Sequence, residues 1–301
     1  MTRILVTGAD GFVGSHVVAS LRSRPVDIHV VARNADKANA ARALGLSPHI
    51  VALEDVEALR TLAKDMNGIA HLAASDNPAF LPVNDAAIKA MISGLPGDSS
   101  FVMHGGSMVF GDTGPAMLTG QLAMNAPPPL AGRAALDQSV LDAAFTGART
   151  HIVYGSLVFG GRGAMIPNTL VTAAKAAGYS GLIGNGAAIW SAVHILDWAD
   201  LIVRVLIDGK TSGQPVFAAA QPVSMRDVAD MVANAFTPVL PVRPVSMDDA
   251  MGLWSFFAPG FAIHQNFDVN AAREAYGWNP PLRDIAAEFA ALAAQPAGTR
   301  L

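Results

Sequence analysis

A doubly wound parallel α/β sheet with a smaller C-terminal lobe is the fold class that this 301-residue chain predicts. Three observations carry that expectation. Short apolar runs alternate with helix-patterned stretches through the first half, and a glycine-rich stretch joins the first run to the first helix. A composition of 51% hydrophobic and 15% charged residues also leaves enough apolar surface for a large core. Parallel strands need crossovers, and these are commonly helices, so the alternation implies a sheet covered on both faces. Right-handed crossovers then bring ligand sites to the carboxyl ends of the strands.

Taken in order, strands are read at 4–7, 28–32, 48–51, 69–72, 101–103 and 151–154. Between them, helices begin near Gly11, Ala35, Val56, Asp85 and Arg133. After Gly155 the pattern loosens. Residues 160–163 form a turn-rich break, 166–177 read as a helix stopped by Gly178, and 214–218 read as a strand. Helices follow over 224–235 and 281–294. The expected division is a nucleotide-binding domain over 1–160 and a substrate lobe over 161–301 that interleaves with the last sheet strands.

The stretch Thr7-Gly8-Ala9-Asp10-Gly11-Phe12-Val13-Gly14 lies between the apolar run Ile4-Leu5-Val6 and the first helix pattern. Such a loop turns tightly at Gly8, lets a pyrophosphate approach at Gly11 and packs helix on strand at Gly14. The unpaired amides and positive dipole end of the new helix face the phosphates. Asp10 reads as a loop-stabilising residue. At the end of the second strand the chain has Ala32-Arg33-Asn34 instead of the acid that would accept from a ribose 2′-hydroxyl. Arg33, with Lys37 as a second cation, therefore points to a 2′-phosphate and to NADP (NADPH) as cofactor.

These residues resemble the extended and atypical short-chain dehydrogenase/reductases, the group that includes the NAD-dependent epimerase/dehydratases. His71-Leu72-Ala73-Ala74, Val109-Phe110-Gly111-Asp112, Val193-His194-Ile195-Leu196-Asp197 and Tyr276-Gly277-Trp278-Asn279-Pro280 are similar to that family's later segments, in the same order. The resemblance implies that Leu53 gives apolar contact to adenine. It implies also that Leu72, Ala73 and Ala74 face the adenosine ribose and pyrophosphate.

The family's chemistry uses a serine and a YxxxK pair, in which the tyrosine passes a proton and the lysine tunes it and holds the nicotinamide ribose. No YxxxK occurs in this chain. The alignment puts Gly106 at the serine, Pro129 at the tyrosine and Arg133 at the lysine. This degenerate tetrad resembles the atypical subgroup designated a5-like, in which NADP is expected and in which Asp85 would take the tetrad asparagine's place. The remaining polar candidates are Ser107, one residue past the serine position, Tyr154 at the end of the sixth strand, and His194 in a segment that also holds Trp190 and Asp197. Histidine can donate or accept a proton near neutral pH. The aromatic stretch Trp254-Ser255-Phe256-Phe257-Ala258-Pro259-Gly260-Phe261, with Met103, Met108, Met117 and Met165, offers the wall of an apolar substrate site.

Zero cysteines exclude disulfides and thiolate metal sites. A net charge of −4 without a basic block argues against nucleic acid as a partner. No leader precedes the first strand and no run reaches the about 18 apolar residues of a membrane span, so a cytoplasmic protein without a membrane partner is expected. The alanine-rich helix over 133–145 offers a surface for a homodimer. The reading that follows is an NADP-dependent dehydrogenase/reductase acting on a carbonyl or alcohol of a small, largely apolar substrate. A redox-neutral epimerase, dehydratase or isomerase and a non-catalytic NADP sensor stand as alternatives.

Overall fold

Strand β1 (Thr2–Thr7) buries its last four residues in succession, with no in-and-out alternation. A central strand of a parallel sheet is covered on both faces, which is why Ile4-Leu5-Val6 can be apolar throughout. A computed structural model of the chain describes residues 1–75, 79–115, 117, 123–161, 163–209, 212–268 and 270–295. After β1 come α1 (Phe12–Leu21), β2 (Val26–Ala32), α2 (Ala35–Ala43), β3 (Ser47–Ile50), α3 (Val56–Ala63), β4 (Gly68–His71), α4 (Phe80–Gly94), β5 (Ser100–Gly106), α5 (Ala131–Asp142) and β6 (Arg149–Gly155). The second half adds β7 (Leu157–Phe159), α6 (Met165–Ala177), β8 (Ser180–Ile183), β9 (Ile189–His194), α7 (Ile195–Asp208), β10 (Pro215–Ala218) and β11 (Gln221–Ser224). It ends with α8 (Met225–Asn234), β12 (Val242–Val245), α9 (Met247–Trp254), α10 (Asn270–Tyr276) and α11 (Ile285–Ala293).

The main sheet is parallel, in the order β10-β6-β5-β4-β1-β2-β3. From β1 the chain winds outward through β2 and β3, then returns and winds the other way from β4. The order therefore reverses between β1 and β4, and the crevice beyond their carboxyl ends is where such folds bind ligands. One apolar core gathers α1 and α7 against the sheet, with Val17, Leu21, Leu201 and Ile202 fully buried. A second gathers α3, α4 and α5 on the opposite face around Leu59, Ile88 and Val140.

Two elements from the second half complete this sheet, since β10 pairs with β6 and α7 packs on α1. The rest of the second half forms a three-stranded sheet, β11-β9-β7, and a two-stranded one, β12-β8, around a third core containing Trp190, Trp254 and Phe261. Helix α4 starts at Phe80, five residues before the expected start near Asp85. Pro82 sits in its first turn, where a missing N–H costs nothing. Helix α11 begins at Ile285, because Asp284 caps it by accepting from the Ala287 N–H.

Candidate active site

The glycine loop is fitted between two strands and a helix with no room to spare. Gly8 has φ +66, and a Cβ there would lie 2.6 Å from the Ala73 nitrogen. A Cβ on Gly14 would lie 2.0 Å from the Gly8 carbonyl oxygen. Backbone groups make these contacts, so no rotamer change relieves them, and only glycine allows so close an approach. Helix α1 starts at Gly11 with no side-chain cap, as do α4, α5 and α6 at their own N-termini, whereas α2, α3, α8, α9 and α11 are each capped by Asn, Asp or Ser. Its first-turn amides are left for an anion. This cradle fits a dinucleotide pyrophosphate. The loop is backed by a buried chain of hydrogen bonds. Thr7 Oγ1 accepts from the amides of Leu72 and Ala73 at 3.2 and 3.3 Å and pairs with His71 Nδ1 at 2.8 Å. His71 Nε2 donates to Asn84 Oδ1 at 2.7 Å. Burial pushes the His71 pKa down to about 4, so the ring is neutral, with its proton on Nε2.

Leu72 is buried and Ala73 half-buried behind Gly8, while Ala74 is exposed beyond it. Leu53 is half-buried in the turn after β3. At the end of β2, Arg33 is 81% exposed and Lys37 48%. Asp10 reaches both from the loop, at 2.8 Å to Lys37 Nζ and 3.9 Å to Arg33.

At the end of β5 the expectations divide. Gly106 is exposed, and among the described residues a Cβ there would meet nothing within 4 Å, so the serine position opens onto free space. Ser107 does not fill it: the residue is 2% exposed, turned into the fold, with no partner for its Oγ among the described residues. Tyr154 is likewise withdrawn from the cleft. It is fully buried, its ring packs edge-on against Phe110, and its hydroxyl donates to Asp137 Oδ2 at 3.0 Å. The other Asp137 oxygen accepts from Arg133 Nε at 2.6 Å, and Arg133 also donates to the His104 carbonyl at 2.6 Å. Tyr154 and Arg133, two separate candidates in the sequence, are thus joined through the Asp137 carboxylate. Burial raises the Asp137 pKa and Arg133 opposes the rise, while burial beside this carboxylate holds the Tyr154 pKa well above its usual value. A tyrosine so held is a support for Arg133. Tyr154→Phe is expected to lower stability by about 1–2 kcal/mol, the worth of a hydrogen bond to a charged group, and to leave dinucleotide affinity within about twofold. Thermal unfolding and calorimetric titration of the same sample check it.

His194 is also placed elsewhere than in the pocket. As the N-cap of α7 its Nδ1 accepts from the Leu196 N–H, and its Nε2 lies against Gly160, where a Cβ would come within 2.3 Å. Burial and the nearby Arg283 lower its pKa. It does not hold Asp197, which forms a two-pronged ion pair with Arg283 at 2.7 and 2.9 Å. The turn that His194 supports closes on the glycine loop. Phe12 packs against Gly163, and the Gly161 amide donates to Glu288 at 2.8 Å. Val13 is half-buried beside Phe12. Asp85 is paired with Lys89 at 2.7 Å on the outside of α4, and the adjacent Asn84 is the buried hydrogen-bond partner of His71.

One residue was missed in the sequence. His104, two residues before Gly106 and on the same face of β5, carries a half-buried ring against Trp198 at 5.7 Å between centroids, with Nδ1 unpartnered. Its signal was the strand period itself, since i and i+2 share a face. Burial pushes its pKa down to about 3, so it is neutral at physiological pH. Of the aromatic stretch, Trp254 and Phe261 are core and Phe256 is 46% exposed. Met103 is buried too, whereas Met108 touches Gly260 beside the site.

Residues 4–87 match the model of the NAD dependent epimerase/dehydratase family. An uncharacterized protein of Schizosaccharomyces pombe is 28% identical, over 92% of this chain and 95% of its own length. One of Saccharomyces cerevisiae is 28% identical, over 95% of this chain and 99% of its own. In fold the chain is similar to a nucleoside-diphosphate-sugar epimerase from Pseudomonas aeruginosa, with a TM-score of 0.75 at 15% identity, over 96% of this chain and 95% of that one. It is similar also to dTDP-glucose 4,6-dehydratase from Streptomyces venezuelae with NAD bound, with a TM-score of 0.72 at 20% identity, over 97% and 96% of the two chains. The glycine loop lies inside the segment that matches the NAD dependent epimerase/dehydratase family model, and the chain as a whole shares its fold with these solved structures.

Proposed function

We propose that the protein is an NADP-dependent oxidoreductase that moves a hydride between the nicotinamide and a carbonyl or alcohol carbon of a small, largely apolar molecule. The observation that carries this reading is the junction of the uncapped glycine loop with the exposed cations Arg33 and Lys37. The amides of Phe12 and Val13 would receive the pyrophosphate, and Arg33 and Lys37 the 2′-phosphate. The backbone of Leu72, Ala73 and Ala74, with the Leu53 side chain, would meet the adenosine. Arg133 would hold the nicotinamide ribose through the hydrogen-bonding capacity that its two bonds leave over.

When bound, the nicotinamide supplies or accepts the hydride. The chain's own part is to orient and polarise the substrate oxygen. His104, neutral and beside the open space at Gly106, is suited to donate a hydrogen bond there, as a neutral imidazole does in other carbonyl chemistry. The Arg133 charge close behind stabilises negative charge that develops on that oxygen. Water reaching the exposed Gly106 provides the proton.

A redox-neutral epimerase or dehydratase is the second reading, in line with the activities named for the two similar structures. Against it, four cations of the C-terminal half are already engaged within the fold. Lys175 bonds the Gln295 carbonyl, Arg226 that of Asn185, Arg243 lies over the Tyr179 ring, and Arg283 holds Asp197. A sugar-nucleotide pyrophosphate would need such groups free.

The deciding experiment is calorimetric titration with NADPH and NADH, followed by nicotinamide absorbance against a panel of aldehydes and ketones. Carbonyl-dependent oxidation of NADPH is the expected result. Tight binding without oxidation would turn the assignment toward the redox-neutral or sensing readings, and absence of binding would overturn it altogether. In the same assay Arg33→Asp is expected to weaken NADPH by about 10–100-fold and NADH by no more than about threefold. Equal losses would remove Arg33 from the site.

A further inference from the structure

The glycine loop carries a charge at the place where it meets the cations. Asp10 lies inside the loop, and its Oδ2 is 2.8 Å from Lys37 Nζ and 3.9 Å from the Arg33 guanidinium. The bond from Lys37 holds its carboxyl below the usual carboxylate range, so Asp10 is ionised wherever the protein is folded at neutral pH. Lys37 stands in the first turn of α2, anchored by its own amide on the Asn34 side chain at 3.0 Å. Arg33 ends β2. Three charged side chains from the loop, a strand end and a helix start therefore meet at one point. Their sum is one positive charge, where two cations alone would give two.

We propose that Asp10 is the residue that sets this site's discrimination between a ribose 2′-hydroxyl and a 2′-phosphate. The proposal rests on the reading of the glycine loop as a dinucleotide site and goes beyond it, because it limits how far Arg33 and Lys37 can favour NADP. A 2′-phosphate carries about −1.5 to −2 charge at pH 7 and needs both cations. To engage Lys37 it must share the ammonium with the Asp10 carboxylate, which stands beside it as a like charge. A 2′-hydroxyl is neutral and donates, so it can bond the Asp10 carboxylate while Lys37 stays in place. Arg33 favours the phosphate, Asp10 favours the hydroxyl, and Lys37 serves whichever anion holds it. The consequence is a protein that accepts both dinucleotides, with a preference for NADPH far smaller than two unopposed cations would give. All three side chains are about half exposed or more, which keeps the effect at the size of screened pairs.

The test is calorimetric affinity for NADPH and NADH, with the fragments 2′,5′-ADP and 5′-AMP to isolate the 2′ group, on wild type, Asp10→Asn and Lys37→Met. Asp10→Asn keeps the shape of the side chain and removes its charge. It is expected to tighten NADPH and 2′,5′-ADP and to weaken NADH, raising the NADPH preference about tenfold. Lys37→Met is expected to weaken NADPH and leave NADH within about twofold. An unchanged NADPH-to-NADH ratio in Asp10→Asn, or equal loss of both nucleotides, would overturn the proposal and leave Asp10 a loop-shaping residue. Failure of the wild type to bind either dinucleotide would instead remove the site itself, so the two failures are separable.

Discussion

Gly14→Ala is expected to weaken binding of NADPH and NADH alike by about 100-fold or more and to destabilise the fold by about 2–4 kcal/mol. The added methyl would stand 2.0 Å from the Gly8 oxygen, 2.7 Å from the Gly8 carbonyl carbon and 2.9 Å from Ala9 Cα. Helix α1 cannot retreat, because Val17 and Leu21 are locked in the core, and the loop cannot sink, because Gly8 rests on Leu72 and Ala73. The loop must therefore lift, which carries the first-turn amides of α1 out of position. Gly106→Ala is the control: its methyl enters open space, and the melting temperature and both affinities should stay at wild-type values. Calorimetry with both nucleotides and a thermal melt on each variant decide the matter. Wild-type affinity in Gly14→Ala would mean that the dinucleotide does not use this loop.

The second large effect is acid sensitivity from buried imidazoles. His71 and His151 are both fully buried, with pKa values pushed by desolvation to about 4. In the unfolded chain a histidine takes its proton near pH 6.5. Between these values the unfolded state binds more protons, so stability falls as the pH drops from about 6.5 to 4 and stops falling on their account below that. Each group contributes a loss of about 3 kcal/mol by pH 4, and together they approach the whole stability of an ordinary domain. His104, with its pKa near 3, acts in the same direction. His151 offers the cleaner test, since neither of its ring nitrogens has a partner among the described residues. His151→Leu is expected to stabilise the protein by about 1–3 kcal/mol at pH 7, by removing unpaired buried polar groups, and to flatten the slope between pH 6.5 and 4. Melting temperatures across that range check it. An unaltered slope would show that His151 is not the titrating group.

Legibility differed between fold and site. The strand, loop and helix at the N-terminus were readable because each is governed by neighbours in sequence: apolar Ile4-Leu5-Val6, the glycines, then a helix period. The end of β5 was less readable. Residues 106 and 107 are neighbours, yet Gly106 ends β5 facing open space, while Ser107 opens a 3-10 turn that carries its side chain into the interior. Tyr154 was placed at the correct strand end, but the bond from its hydroxyl to Asp137 depends on how α5 lies over the sheet. For the pair of Asp197 with Arg283, 86 residues apart, no local pattern exists to be read.

The sequence by itself determined the class of fold, the glycine loop and the cations at the end of β2. These follow from periodicity, from the few residues able to take tight backbone, and from charge at a strand end. Only the tertiary structure decided that β10 and α7 complete the first sheet and that His194 caps a helix beneath Gly160. It alone decided also that Arg133 rests on Asp137 and Tyr154, and that Asp10 reaches Lys37. The physical reason is common to all of these. A side chain's partner is set by which faces are brought together when helices close over a sheet, and that choice is made by the packing of the whole core.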